Sequence, residues 1–128
     1  MMNNRKIKKL VCGLAVSACL IGNTIPVFAQ TVDFDVTVPG DILSKRALKA
    51  DSEQYFYVTG TSFNKTGELK CVSINRTNSN IQSLPTRISP TKLSNKGLYR
   101  RRAPSNEYYY MTTEANVSGL HVKGRYTP

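Results

Sequence analysis

The sequence predicts an all-β domain over residues 30–128, folded as a small antiparallel β-sandwich or barrel of about seven short strands. Three observations lead to this fold class. Apolar and polar residues alternate along several segments, as in strands with one face on a core and the other in solvent. β-branched and aromatic residues are concentrated in the same segments. Turn-forming Gly, Pro, Asn and Ser residues separate these segments at intervals of about ten residues.

The first strand, over residues 31–38, is the clearest element of the sequence. Its even positions, beginning with Val32 and Phe34, are apolar, and they alternate with Asp33 and Asp35 at odd positions. A Pro-Gly pair then ends the strand as a turn. Similar patterns predict the remaining strands over residues 54–59, 68–75, 86–89, 98–103, 108–113 and 120–126.

Two segments are expected at the edges of the fold. Residues 42–49 have a near-helical apolar spacing that Asp41 could cap, but they also fit an irregular edge strand. We favour the strand because the surrounding sequence is β. Pro85 and Pro90 bound the strand over residues 86–89. Because proline has no amide hydrogen to donate to a strand ladder, this strand belongs at a sheet edge.

Sequence proximity predicts two hairpins. Residues 54–75 form the first, with a polar turn over residues 64–67. The second is conditional: residues 98–103, which follow a turn at Asn95-Lys96-Gly97, could pair with residues 108–113 across Pro104-Ser105-Asn106. In this second hairpin, arginine and tyrosine side chains would lie across from each other.

Residues 1–29 have the pattern of a secretory signal peptide. Four basic residues precede an apolar run of about a dozen residues, which is shorter than the roughly 20 that span a bilayer. Val27-Phe28-Ala29 closes the segment with the small-residue spacing that a signal peptidase cleaves. We therefore expect a secreted, extracellular protein cleaved after Ala29. The alternative is a lipoprotein, because Val16-Ser17-Ala18-Cys19 resembles a lipobox in which Cys19 is acylated.

Positive charge is concentrated in the second half of the chain. The full chain has a net charge of +10, and residues 30–128 keep 14 Lys and Arg against 8 Asp and Glu, a net charge of +6. Residues 65–128 alone carry 11 basic and 3 acidic side chains, a net charge of +8. Such a charge attracts a domain to anionic surfaces, and salt weakens the attraction.

Cysteine and histidine are too few for most catalytic or metal sites. Cys71 is the only cysteine after the leader, so we expect a small buried side chain, with a disulfide between chains as the alternative. His121 is the single histidine, and nothing around Cys71 indicates an activated nucleophile. Asp33, Asp35 and Asp41 could hold Ca²⁺ loosely, but polar positions on a strand explain them without a metal. The sequence therefore predicts no enzyme, no catalytic residue, no metal and no cofactor.

The candidate binding residues are a run of arginines and a run of tyrosines. They are Arg100, Arg101, Arg102, Tyr108, Tyr109 and Tyr110. Exposed arginines beside aromatic rings make cation–π contacts of about 0.5–1 kcal/mol and suit a phosphate-rich or sugar-bearing polymer. The alternative is structural: Tyr109 packs inside, while its neighbours and the arginines cover the rim.

Five short segments beyond the leader carry a family likeness: residues 34–38, 49–52, 55–58, 117–119 and 124–128. With this layout the chain resembles a family of small exported proteins of Gram-positive bacteria that are classed only as domains of unknown function. The resemblance implies a secreted β-rich domain without a catalytic residue. Some related exported proteins accompany bacteriocin-type gene clusters, which implies an antagonistic or immunity role. The absence of Trp departs from the compact bacteriocin families.

The expected function is non-enzymatic binding of an anionic cell-surface polymer, such as a cell-wall polymer, or of another exported protein. The alternative is a bacteriocin-like effector or immunity-associated protein that acts at membranes. We expect a monomer with no specific nucleic-acid partner and, once the leader is removed, no transmembrane span.

Overall fold

The computed structural model describes residues 29–39 and 43–128 of the chain. The predicted leader lies outside the described residues except for Ala29, and so do Cys19 and residues 40–42 with Asp41. The described residues form eight β-strands and no helix, which confirms the all-β class. The strands are β1 (Val32–Val38), β2 (Ala47–Lys49), β3 (Tyr55–Phe63), β4 (Leu69–Asn75), β5 (Thr86–Ile88), β6 (Ser94–Leu98), β7 (Glu107–Ala115) and β8 (Leu120–Thr127).

These strands form two four-stranded antiparallel sheets, consistent with a small β-sandwich. The first sheet has the strand order β1-β8-β3-β6, and the second has the order β2-β7-β4-β5. Every strand pair is antiparallel. Most neighbours within a sheet are distant in sequence, as β1 and β8 show by joining the two ends of the domain.

Alternation along the strands builds the core between the sheets. In β1, Phe34 and Val36 are buried, whereas Asp33 and Asp35 are exposed. β4 and β8 alternate in the same way. Burying an aliphatic or aromatic side chain of this kind stabilises the fold by about 1.5–3 kcal/mol. The core residues are Phe34, Val36, Val38, Ala47, Phe56, Val58, Leu69, Cys71, Ile88, Tyr99, Ala103, Tyr109, Met111, Leu120, Val122 and Tyr126.

Main-chain hydrogen bonds also join the two sheets along their sides. Arg100 N, just after β6, donates to Gln82 O at 2.9 Å, and Gln82 in turn forms a bridge with Ile74 of β4. Near the start of β1, Gln30 N donates to Leu48 O of β2 at 2.9 Å. The first link brings the beginning of the arginine run to the edge of the second sheet.

The predicted hairpin over residues 54–75 is wrong. β3 belongs to the first sheet and β4 to the second, so the two strands do not pair. Their inward side chains, such as Phe56 and Cys71, are fully buried in the same core. Alternation requires only that each strand bury one face, and stacked strands meet that condition as well as paired strands do.

The second predicted hairpin is also wrong. β6 ends at Leu98 and pairs with β3, whereas β7 pairs with β2 and β4 in the other sheet. The predicted turn at Asn95-Lys96-Gly97 lies inside β6. Gly97 serves close packing there, because a Cβ atom would collide with the Phe56 ring and the Thr86 hydroxyl.

Both edge predictions are confirmed. Residues 43–49 contain no helix, and β2 lies at one edge of the second sheet. Leu43 adds an isolated bridge to Thr112 of β7, so the chain follows β7 irregularly before β2 begins. β5, which lies between the two prolines, occupies the opposite edge.

A hydroxyl network crosses the core between the sheets. Ser73 Oγ lies 2.7 Å from Tyr99 Oη and 2.6 Å from Tyr126 Oη. Burial raises the pKa of both phenols, that of Tyr126 well above its ordinary value, so both stay neutral. The network fixes the position of Tyr99, from which the arginine run starts.

Candidate binding surface on the second sheet

The three predicted tyrosines do not act together, because they lie on β7 and alternate across the second sheet. Tyr109 is fully buried, and its hydroxyl donates to Pro104 O at 2.9 Å. It is therefore a core residue and is not available to an external ligand. Tyr108 is 40% exposed on the outer face, and Tyr110 is half-buried two positions further along the same face.

The side chains around these two outward tyrosines are apolar. Leu48 lies opposite Tyr108, and Ile74 lies opposite Tyr110. Leu43, which follows the edge of β7, is 56% exposed. We call this surface the tyrosine face; it consists of Leu43, Leu48, Val72, Ile74, Tyr108, Tyr110 and Thr112. A contiguous, partly exposed apolar surface of this kind is typical of an interaction site.

Three arginines border the tyrosine face at one end, and we call them the arginine rim. Arg46 Cζ lies 4.6 Å from the centre of the Tyr108 ring. Arg76 N donates to Tyr108 O at 2.9 Å, which places Arg76 beside that tyrosine. Arg100 N donates to Gln82 O, and Gln82 forms a bridge with Ile74, which lies opposite Tyr110. This places Arg100 near the same end of the tyrosine face. None of the three forms an ion pair with another described residue.

The predicted arginine run is only partly brought to this surface. Arg100, Arg101 and Arg102 are all exposed, but no described contact joins any of the three to a tyrosine ring. The sequence analysis missed Arg46 and Arg76. A local signal existed for Arg76, which directly follows the strand predicted over residues 68–75. Its neighbour Tyr108 lies on a strand that is distant in sequence, so the local pattern does not show their contact.

Hydrogen bonds from the Gln54 side chain hold the loop that carries the arginine run. Ala103 N donates to Gln54 Oε1 at 2.7 Å, and Gln54 Nε2 donates to Ala103 O at 3.2 Å. Lys49 is fully buried nearby, with Nζ 5.3 Å from the Tyr99 ring centre and 3.0 Å from Asp51 Oδ1. These contacts hold both ends of residues 99–103, so the arginines are presented on a fixed backbone.

The opposite end of the second sheet carries paired charges. Lys70 Nζ lies 2.6 Å from Glu114 Oε1, and Arg87 Nε lies 3.8 Å from Glu68 Oε1. The hydrogen bond from Lys70 lowers the pKa of Glu114 below its ordinary value. The unbalanced positive charge of this sheet is therefore concentrated at the arginine rim.

The residues considered for catalysis lie apart. The Cys71 side chain lies on the inner face of the second sheet, and its burial there raises the pKa of the thiol to about 12. His121 lies on the outer side of the first sheet, with Nε2 2.5 Å from Asp35 Oδ1. Asp33 and Asp35 are exposed on the same side. Among residues 29–39 and 43–128, no three His, Cys, Asp or Glu side chains are grouped to hold a metal ion.

No protein-family model, curated protein or solved structure matches the chain. The resemblance to small exported Gram-positive proteins therefore stays a prediction. Within the described part of the chain, no long apolar helix of the kind that crosses a bilayer is present.

Proposed function

We propose that the protein is an exported, non-enzymatic binding domain whose tyrosine face and arginine rim take an anionic, sugar-bearing polymer of the cell surface. One observation carries this proposal. Partly exposed tyrosines, Tyr108 and Tyr110, lie beside arginines that have no acidic partner among the described residues.

The chemistry of the surface suits a ligand that has both flat apolar faces and negative groups. An exposed tyrosine ring offers a rigid apolar face with a polar tip, against which a sugar ring can pack. Guanidinium groups bind phosphate or carboxylate through two parallel hydrogen bonds. Because Arg46 stacks on Tyr108, one ligand unit could contact both groups at once.

The charge distribution supports the same class of ligand. Residues 65–128 carry a net charge of +8, and Glu68 and Glu114 of the second sheet lie at the end away from the rim, whereas Glu107 lies at the rim end and accepts a hydrogen bond from Asn75 Nδ2 at 2.7 Å. Long-range attraction would bring a polyanion to this domain, and short contacts at the rim would orient it.

The proposal is tested with protein purified from cells that express the full chain and with purified wall teichoic acid. We expect binding at about 50 mM salt that weakens steeply toward about 500 mM, because salt screens the arginines. Arg46→Gln combined with Arg76→Gln lowers the affinity at least about tenfold, since charged hydrogen bonds contribute about 1.5–3 kcal/mol each.

Arg87→Gln is the matched control. It removes one positive charge, as each of the two rim substitutions does, but its guanidinium is 3.8 Å from Glu68 at the other end of the sheet. We expect the affinity of this variant to stay within about twofold of the parent, in keeping with the small effects of exposed ion pairs. Equal losses in the control and the rim variant, or salt-insensitive binding, would contradict the proposal.

A second candidate function is action at an anionic membrane, as a bacteriocin-like effector or an immunity-associated protein. The observation that favours it is the exposure of Leu43, at 56%, beside the arginine rim. An apolar surface bordered by cations suits the boundary of an anionic bilayer. Dye release from anionic vesicles, absent from neutral vesicles, would support this function, and intact anionic vesicles would exclude it.

Export itself is tested by the mass of the protein recovered from culture medium. Cleavage after Ala29 gives a chain that starts at Gln30. Acylation would instead give a lipid-bearing chain that starts at Cys19. Recovery of the uncleaved chain from the cytoplasm alone would contradict both forms.

A further inference from the structure

A groove of about 540 Å³ lies over β1 and β8 of the first sheet and is bordered by the segment before β2, where Leu43 belongs to both the groove and the tyrosine face. β1 contributes Asp33 and Asp35, β8 contributes Lys123 and Arg125, and Lys45 belongs to the segment before β2. This volume is within the range of about 300–1,000 Å³ that is typical of small-ligand sites. Carboxylates and cations therefore line the same open space.

The charged side chains that line this groove do not form ion pairs with one another. Asp33 lies opposite Arg125 and Asp35 lies opposite Lys123 in the strand register. Nevertheless, no ion pair joins either couple, and Asp35 contacts His121 instead. Opposite charges on adjacent strands stabilise each other when their side chains meet. Here Asp33, Lys123 and Arg125 line the groove without an ion pair to another described residue, whereas Asp35 contacts His121, so charges of both signs face a ligand.

We propose that the groove binds a short peptide through its two free ends. The row of carboxylates on β1 takes the ammonium group, and the row of cations on β8 takes the terminal carboxylate. Adjacent strands lie about 4.8 Å apart. The long lysine and arginine side chains of β8 can carry their charges further from the carboxylates, toward the span of a short peptide, which extends by about 3.3 Å per residue. The Thr61 hydroxyl, on β3 at the other side of β8, also lines the groove and donates to Lys123 O at 3.2 Å.

A purely anionic ligand fits this groove less well than it fits the arginine rim. Asp33 and Asp35 would repel it, and their desolvation would oppose binding. A purely cationic ligand meets the same obstacle at Lys123 and Arg125. Only a ligand with both charges satisfies the two rows together, and this distinguishes the groove from the surface proposed for the polymer.

The test uses trialanine with free ends, N-acetyl-trialanine and trialanine amide as probes, with binding followed by NMR. We expect free trialanine to shift the amide signals of Asp33, Thr61 and Arg125. Blocking either end should weaken binding at least about tenfold, because each block removes a charge-assisted hydrogen bond. Equal binding of the three probes, or no shift with any of them, would overturn the proposal.

Two variants assign each peptide end to its row. Asp33→Asn should abolish the difference between trialanine and its N-acetyl form, and Arg125→Gln should abolish the difference between trialanine and its amide. Both side chains are exposed, so folding should be retained. Arg76→Gln, on the arginine rim, is the matched control and should leave all three affinities unchanged.

The same variants keep this proposal separate from the polymer proposal. Asp33→Asn should leave polymer binding intact, whereas the combined Arg46→Gln and Arg76→Gln change should leave trialanine binding intact. Loss of trialanine binding on the rim substitutions would overturn the assignment to the groove.

Discussion

The outer faces of the two sheets differ, although their inner faces form one core. On the first sheet, outward positions of β1 and β8 carry charges and hydroxyls, as Asp33, Asp35 and Lys123 show, while exposed Tyr57 and Leu98 stand on β3 and β6. On the second sheet, the corresponding positions carry Val72, Ile74 and two tyrosines. A sandwich sheet usually keeps its outer face polar. The second sheet departs from this pattern at the place where arginines without acidic partners among the described residues gather, and the proposed binding function rests on this coincidence.

The largest expected effect on the free energy of unfolding comes from comparing an inward with an outward tyrosine on β7. Tyr109→Ala should lower the free energy of unfolding by about 3–5 kcal/mol, because it empties a fully buried site. Tyr110→Ala, one residue further along the strand, should cost about 1 kcal/mol or less, as a half-buried side chain. Urea unfolding of the two variants measures both values. Similar losses would mean that the tyrosine face is a second core surface.

A second comparison concerns neighbouring residues on β4. Cys71 is fully buried and has a raised pKa, whereas Val72 faces outward. Val72→Cys in a Cys71→Ala background should react with a thiol reagent at least about a hundredfold faster than native Cys71, which needs local opening first. Residue-specific labelling followed by mass spectrometry gives both rates. In urea the two thiols should react alike, and comparable rates in the native state would contradict the assigned faces.

These contrasts show which parts of the structure follow from sequence. Alternation is a local property, so it places Phe34 and Val36 inward and β5 at an edge without knowledge of partners. It also permits Tyr109 to be inward, which was one of two readings of the tyrosine run. Stacking and pairing satisfy the same alternation, and for that reason both hairpins were predicted wrongly.

The proposed binding surface depends on partners that are remote in sequence. Arg46 meets Tyr108 only because β2 pairs with β7, and Arg76 meets it only because β4 pairs with β7. A run such as Arg100 to Arg102 is conspicuous in the sequence, yet side chains assembled from three segments form the rim. No local sequence pattern encodes contacts between segments that are this far apart in the chain.

The smallest expected effect concerns the ion pairs at the end of the second sheet that lies opposite the arginine rim. The hydrogen bond from Lys70 lowers the pKa of Glu114 in the folded protein. The resulting stabilisation is therefore present above the unfolded pKa and is lost as the pH falls through the folded pKa. Because Glu114 is fully exposed, the effect on stability is slight, and NMR titration of its carboxyl carbon is the suitable measurement.

Lys70→Met should raise the titration midpoint of Glu114, and added salt should raise it in the parent protein as well. Lys65→Met is the matched control, since Lys65 Nζ donates to Ser118 O at 3.2 Å and does not contact Glu114. A midpoint that stays unchanged in Lys70→Met would show that Lys70 and Glu114 are not paired in solution. Lys70 would then be as free to contact a polyanion as the rim arginines are, and the contrast between the two ends of the sheet would lose its basis.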